Sequence, residues 1–149
     1  MKEVVYEPQH EMIAWAESKI ADCKFRDDAK AIGLCSESGY LAVVVFDAFT
    51  TTGCWVSVAA EGARWMTREY ILHVFAYPFI QLLYPRLNSF VSVNNEAAIR
   101  FNEHFGFKRE GLMREAGADG EDLIVYGMLR RECRWLPERF SGKVGKPAL

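Results

Sequence analysis

The strongest constraint on the fold comes from residues 41–46, whose sequence is LAVVVF. These six consecutive apolar residues contain three valines in a row. β-Branched side chains favour strands, and an unbroken apolar run is typical of a strand that is covered on both faces. The run therefore predicts a strand in the middle of a sheet, with other elements packed above and below it.

Apolar spacing predicts the remaining elements. Helical periodicity indicates helices over residues 8–22, 66–83 and 95–105, with Pro78 kinking or ending the second and Gly106 capping the third in a left-handed conformation. Short apolar runs bounded by turn residues predict strands at 31–35, 54–60, 88–93, 107–114 and 123–129. The order predicts an α/β fold of the α+β type, with a mixed, mostly antiparallel sheet flanked by helices.

Length and charge restrict the class of protein. A chain of 149 residues fits one domain, so we expect a single domain over residues 1–149. The net charge of −2 argues against nucleic-acid binding, and no apolar stretch is long enough to span a membrane. The start of the chain lacks an apolar signal segment, and a cytoplasmic location is therefore expected.

Two further features of composition bear on function. The four cysteines are widely spaced without a C-x-x-C pair, which favours reduced thiols over a metal site or disulfides. Lys and Arg outnumber acidic residues toward the end of the chain. This basic C-terminal tail, about residues 136–149, would be solvated or would bind phosphate.

One segment has the features of an anion site. A strand ends near Ala60, a short loop containing Gly62 follows, and a long helix begins. The start of a helix presents free backbone N–H groups and the positive end of its dipole. Arg64 and Arg68 add positive charge, and Thr67 offers a hydroxyl as a cap or a phosphate donor. An ordinary capped helix with solvated arginines would have the same sequence.

A second segment carries a family resemblance. The spacing from Asn95 through Ala98 to Gly106 and Phe107, with Glu110 and Gly111 just after, resembles the last conserved block of the GNAT N-acetyltransferase superfamily. The resemblance covers roughly residues 30–135. Residues 122–135 resemble a branch of this family that is common in bacteriophages and prophages.

The resemblance implies a site for acetyl-CoA, the acyl donor of the family, without a metal. The sheet would splay between the strands at 54–60 and 88–94, and the acyl-CoA would lie in the opening. The implied binding residues form three groups: the strand backbone at Val58 and Ala59; the pyrophosphate loop of Ala63, Arg64, Trp65, Met66, Thr67 and Arg68; and the wall beside the pantetheine arm, with Asn95, Ala98 and Phe101.

The sequence departs from the family pattern at defined positions. Glu61, Arg64 and Met66 occupy places where the pyrophosphate loop of the family usually has Gln or Arg, Gly, and Gly or Ala. Asn102 stands where many members have a tyrosine that protonates the departing thiolate. An amide donates hydrogen bonds but cannot act as a general acid.

No catalytic residue is assigned from the sequence. A thioester is already activated, so an attacking amine needs mainly positioning, deprotonation and polarisation of the thioester carbonyl. Glu61 is the candidate base nearest the reacting end by sequence order, and Glu37 and Asp47 border the turns that join the three strands predicted between residues 31 and 60. His73 and His104 are expected to pack or to complement a helix end.

Two functions therefore remain open. The first is an N-acyltransferase that moves an acetyl or other acyl group to an amine, on a small molecule or a protein, by direct attack in a ternary complex. The second is an inactive GNAT-fold binding or interaction module of phage origin. A homodimer would form through an exposed edge of residues 41–46 or through the aromatic segment 75–84. The acceptor and the acyl chain preference are left open.

Overall fold

The computed structural model describes residues 1–137, which build one seven-stranded sheet in the order β1-β2-β3-β4-β5-β7-β6. The strands are β1 (Glu3–Val5), β2 (Lys30–Ser36), β3 (Gly39–Asp47), β4 (Trp55–Ala60), β5 (Arg86–Ser92), β6 (Lys108–Met113) and β7 (Leu123–Leu129). The helices are α1 (Gln9–Lys19), α2 (Arg68–Ala76) and α3 (Glu96–Phe105). The mixed, mostly antiparallel α/β fold predicted from the sequence is confirmed.

The apolar run at residues 41–46 lies in β3, between β2 and β4, and all six of its side chains are buried. Val43 and Val45 pack under α1, and this side of the sheet is called the α1 face. Val44 and Phe46 pack on the opposite side against α2, and this side is called the α2 face. The mid-sheet prediction is therefore confirmed. The suggestion of an exposed edge for dimerisation at residues 41–46 is wrong, because both edges of β3 are hydrogen-bonded to neighbouring strands.

Element boundaries follow local chemistry that the periodicity did not capture. α2 begins at Arg68, two residues later than expected, because the Thr67 side chain caps it by accepting a hydrogen bond from the Tyr70 N–H at 3.2 Å. Regular helix ends at Ala76, and a π-helical turn over Tyr77–Gln81 contains Pro78, as expected for a proline inside a helical pattern. Gly106 caps α3 with φ of 105°, which confirms the predicted left-handed cap.

Strand β1 was not expected from the sequence. Its three residues pair antiparallel with β2, placing Val4 opposite Leu34. A segment this short has no readable alternation, and only the long-range pairing defines it as a strand. The predicted basic tail falls mostly on residues 138–149, which lie outside the described residues.

The sheet opens between β4 and β5, the only parallel neighbours in the strand order of the described chain. They share one paired position, Trp55 opposite Asn88, whereas β5 and β7 pair along all seven residues of each strand. The Asn88 N–H donates to the Cys54 carbonyl at 2.9 Å, and the Asn88 side-chain amide donates to the same oxygen at 3.1 Å. Beyond this contact the strands diverge, so the predicted splay between the two central strands is present.

A polar network, which we call the junction clamp, reinforces this contact. It consists of Cys54, Arg86, Asn88 and Glu110: Arg86 Nε donates to Asn88 Oδ1 at 2.6 Å, and Arg86 Nη2 donates to Glu110 Oε1 at 2.7 Å. The ion pair crosses directly over Gly127, where an added Cβ would come within 2.3 Å of both Arg86 and Glu110. The clamp thus links β4, β5 and β6 by passing over β7. A side chain at position 127 of β7 would collide with the clamp, so this position requires glycine.

We predict that Asn88→Ala lowers the free energy of unfolding by about 1–3 kcal/mol, because it removes the side-chain bond to Cys54 and leaves Arg86 Nε without its acceptor. Urea denaturation monitored by tryptophan fluorescence would measure the change. Asn94→Ala is the matched control, since the Asn94 side chain is exposed and makes no hydrogen bond within residues 1–137. Equal stabilities of the two variants would contradict a structural role for the clamp.

Candidate functional site

The free edge of β4 is the first component of the candidate site. Glu61 N–H donates to the Leu41 carbonyl, and Cys54 accepts from Asn88, so alternate residues of β4 point their backbone groups to β3 and to β5. This alternation directs the backbone N–H and C=O groups of Val58 and Ala60 into the opening between β4 and β5, which we call the gap. The Val58 side chain is also 44% exposed. Of the two predicted backbone contacts, Val58 therefore fits.

Ala59 does not fit in the same way. It pairs with Val43, its backbone groups point toward β3, and its side chain is buried under α1. Ala60, which the sequence reasoning missed, takes its place at the gap. Only the register between β3 and β4 identifies which residues have free backbone groups, and a single strand sequence does not contain that register.

The loop between β4 and α2 carries the positive charge of the site. Arg64 and Arg68 are exposed, as are Ala63 and Met66, and neither arginine forms an ion pair with any residue up to 137. The N–H groups of Arg68 and Glu69 begin α2 and have no partner within the helix. The exposed Glu69 carboxylate in the same turn opposes this charge. The loop therefore has the features of an anion site. These are the start of α2 and the guanidinium groups of Arg64 and Arg68, which have no ion-pair partner up to residue 137.

Lys2 adds a third cation that the sequence reasoning missed. Its ammonium donates to the Arg64 carbonyl at 2.7 Å, which holds the start of the chain against the loop. Gly62 turns the loop with φ of 69°, and Glu61 before it forms an ion pair with Lys19 of α1 at 2.5 Å. No local pattern signals the Lys2 contact, because 62 residues separate it from Arg64.

Trp65 has a different role from the one predicted. Its side chain is 1% exposed and packs edge-on against Phe101 at 5.5 Å and against Tyr70 at 6.3 Å between ring centroids. The indole therefore lies beneath the loop as a core anchor and does not form part of the phosphate-facing surface. Its Nε1 has no hydrogen-bond partner among residues 1–137.

The start of α3 forms the opposite wall. Asn95 caps this helix, its Oδ1 accepting from the Ala98 N–H at 3.0 Å. Ala98 and Phe101 are half-buried on the side of α3 that faces Trp65. Asn102, at the position of the missing tyrosine, donates its amide to the Ala98 carbonyl at 2.9 Å. Phe101 and Trp65 are thus brought together, and the amide of Asn102 is already engaged within the helix.

The carboxylates considered as bases are placed apart. Glu61 extends toward α1, where Lys19 pairs with it. Glu37 binds the N-terminal ammonium at 2.8 Å, and that hydrogen bond lowers the pKa of the Glu37 carboxyl. Asp47 lies opposite Trp55, at the lower end of the gap, which is the end where β4 and β5 are paired. It accepts a hydrogen bond from the Arg26 N–H at 3.0 Å.

His73, His104 and Cys54 are engaged in packing or hydrogen bonds of their own. His73 Nδ1 is hydrogen-bonded to the Tyr6 hydroxyl at 2.5 Å, and the His104 ring packs against Phe105 and Trp135. Burial raises the pKa of the Cys54 thiol to about 12, so it stays protonated at neutral pH. A protonated, buried thiol is a poor nucleophile.

Residues 1–137 lack two kinds of feature, a membrane-spanning helix and a cluster of metal-ligating side chains. None of the helices there has the length and continuous apolarity that crossing a bilayer requires. No group of three or more His, Cys, Asp or Glu side chains is arranged there to hold a metal ion.

Comparison with known proteins agrees with the geometry. No protein-family model matches the chain. The uncharacterised N-acetyltransferase YokL from the SPbeta prophage of Bacillus subtilis strain 168 is 28% identical over 132 residues, covering 81% of this chain and 71% of its own.

Solved structures share the fold at lower identity. The ribosomal-protein-S18-alanine N-acetyltransferase of Escherichia coli superposes with a TM-score of 0.65 at 16% identity, covering 87% of this chain and 94% of its own. An acetyltransferase structure from T. thermophilus gives 0.61 at 20% identity, covering 72% of this chain but 62% of its own, so this chain spans less than two thirds of that protein. The chain is a GNAT-fold protein and a relative of a prophage-encoded N-acetyltransferase, which confirms the resemblance that its sequence indicates.

Proposed function

We propose that the protein is an N-acetyltransferase that transfers an acetyl or other acyl group from acyl-CoA directly to an amine. The observation that carries the proposal is the continuity of the site. The free edge of β4 at Val58 and Ala60 leads into a loop that carries Arg64, ends at Arg68 and is contacted by Lys2. A ligand with an amide-containing arm at one end and phosphates at the other matches this order of groups.

The phosphate end of acyl-CoA would lie on the loop. Exposed cations and the free N–H groups at the start of α2 are complementary to a pyrophosphate. In the usual family loop, glycines allow the backbone to approach the pyrophosphate closely. Here the side chains of Arg64 and Lys2 would contact the pyrophosphate instead, so binding would depend more on side-chain charge. Trp65 would fix the loop from below through its packing on Phe101.

The pantetheine arm would extend along β4 as an added strand. Its amides would bond to the backbone of Val58 and Ala60, with Asn95, Ala98 and Phe101 of α3 on the opposite side. A backbone N–H of this edge would also polarise the thioester carbonyl. The neutral amine attacks the acyl carbon, a carbon–nitrogen bond forms, and the carbon–sulfur bond breaks with its electron pair leaving on sulfur. The proton lost by the nitrogen passes through solvent to the thiolate, which leaves as the CoA thiol. Glu61 forms an ion pair with Lys19 of α1 and is not assigned as the base.

Ligand-induced stabilisation tests the proposal. If acetyl-CoA binds with a Kd of about 10 μM, about 1 mM ligand stabilises the fold by about 2.7 kcal/mol. Differential scanning fluorimetry should then show a melting temperature higher by about 5–10 °C. No shift with acetyl-CoA, CoA or longer acyl-CoAs would contradict the proposal. A shift without acetyl transfer across a panel of amines would instead favour the inactive binding module.

Charge removal tests the loop. We predict that Arg64→Ala and Arg68→Ala each weaken CoA binding about tenfold, because each removes a charged donor to phosphate. Lys2→Ala should weaken CoA binding less, because the Lys2 ammonium already donates one hydrogen bond to the Arg64 carbonyl. Isothermal titration calorimetry would measure all three variants.

Lys30→Ala is the control for these variants, because Lys30 is an exposed cation that pairs with Phe46 at the far end of the sheet. Wild-type affinity should also fall with added salt more steeply than that of the Arg64→Ala, Arg68→Ala double variant. Unchanged affinity in the arginine variants would remove these residues from the site.

A further inference from the structure

The two halves of the sheet are covered differently. On the α1 face, α1 packs against β2, β3 and β4. Both α2 and α3 pack on the α2 face. Within residues 1–137 no helix covers the α1 face of β5, β7 and β6. This half of the sheet therefore presents apolar side chains outward.

These side chains form one surface, which we call the aromatic platform. Phe90 on β5 is 47% exposed and Met113 on β6 is 37% exposed. Val125 lies directly opposite Phe90, and Leu123 directly opposite Met113, so these four residues share the face. Trp55 completes the platform from β4, its ring 5.7 Å from that of Phe90 at an interplanar angle of 62°.

The Trp55–Phe90 pair lies at the point where the sheet opens. Trp55 belongs to the one paired position between β4 and β5, and Phe90 follows Asn88 by two residues. An arm extended along the free edge from Ala60 to Val56 covers about 13 Å and ends beside this pair. The α2 face at this level is filled by the packed side chains of Val44, Phe46 and Leu87. Among residues 1–137, the α1 face is therefore the less covered side of the sheet beside the Trp55–Asn88 position.

The carboxylates that border the platform differ in availability. Glu110 is neutralised by Arg86, and both oxygens of Glu121 accept hydrogen bonds, from Ser92 and from the Asp119 N–H. Asp47 is placed opposite Trp55, and only its Oδ2 accepts a bond from a residue in the described chain. The surface thus offers two aromatic rings beside Asp47, a carboxylate that forms no ion pair and has one oxygen without a partner up to residue 137.

We propose that the aromatic platform binds the acceptor, and that the acceptor is a primary amine with one positive charge and an apolar, aromatic body. Burial of the body on Trp55 and Phe90 supplies apolar contact, and the ammonium gains electrostatic attraction over an aromatic ring and near Asp47. The ammonium gives up one proton to solvent before its nitrogen attacks the thioester. A polyamine has no aromatic body to bury on Trp55 and Phe90. This inference rests on the proposed function, which defines the acceptor.

The experiment compares 2-phenylethylamine with spermidine. Binding of each amine to the CoA-saturated protein would be followed by ligand-observed NMR, and acetyl transfer by release of the CoA thiol. Phenylethylamine should bind more tightly. Phe90→Ala should raise its KM by about tenfold through lost apolar contact, with acetyl-CoA affinity unchanged. Phe90→Leu, which keeps an apolar side chain, should retain most of the affinity.

Leu112→Ala is the matched control, because Leu112 is an exposed apolar residue that pairs with Ile124 on the opposite face. Tighter binding of spermidine, or a Phe90→Ala variant that binds phenylethylamine like the wild type, would overturn the acceptor assignment while acetyl-CoA still raises the melting temperature. Failure of the proposed function is a different result, namely the absence of that rise with every acyl-CoA.

Discussion

The contact between Asn88 and the Cys54 carbonyl determines the shape of the whole site. It is the only place where β4 and β5 are paired in the described chain, and it receives both the backbone and the side-chain N–H of Asn88. Further pairing would close the gap and occupy the backbone groups of Val58 and Ala60. Without the contact, the two halves of the sheet would be joined only through connections and helix packing. The junction clamp therefore sets where the opening begins.

The loop above the gap depends on parts of the chain that are far from it in sequence. Lys2 holds the Arg64 carbonyl, Lys19 pairs with Glu61, and Trp65 packs on Phe101 of α3. These contacts explain how a loop without the usual family glycines keeps a defined shape. The same packing couples the loop to the helix wall beside the proposed pantetheine arm. The loop and α3 are thus linked through one buried indole.

Uneven coverage of the sheet accounts for much of the remaining surface chemistry. β3 is enclosed by strands at both edges and by helices on both faces, which explains why an unbroken apolar run is stable there and cannot serve as a dimer edge. β5 and β7 are covered on one face among the described elements, and alternate residues such as Phe90 stay accessible. An exposed aromatic pair beside the opening is the consequence, and it is the basis of the proposed acceptor site.

Elements whose causes are local can be predicted from the sequence. The apolar run of β3, the proline that ends α2 and the glycine that caps α3 each act through neighbouring residues, and each prediction was confirmed. The spacing from Asn95 to Phe107 was enough to indicate the family resemblance. Tertiary structure alone decided that Ala60 and not Ala59 faces the gap, that Trp65 is buried, and that Lys2 reaches Arg64. These depend on strand register and on contacts between distant segments, which no local pattern encodes.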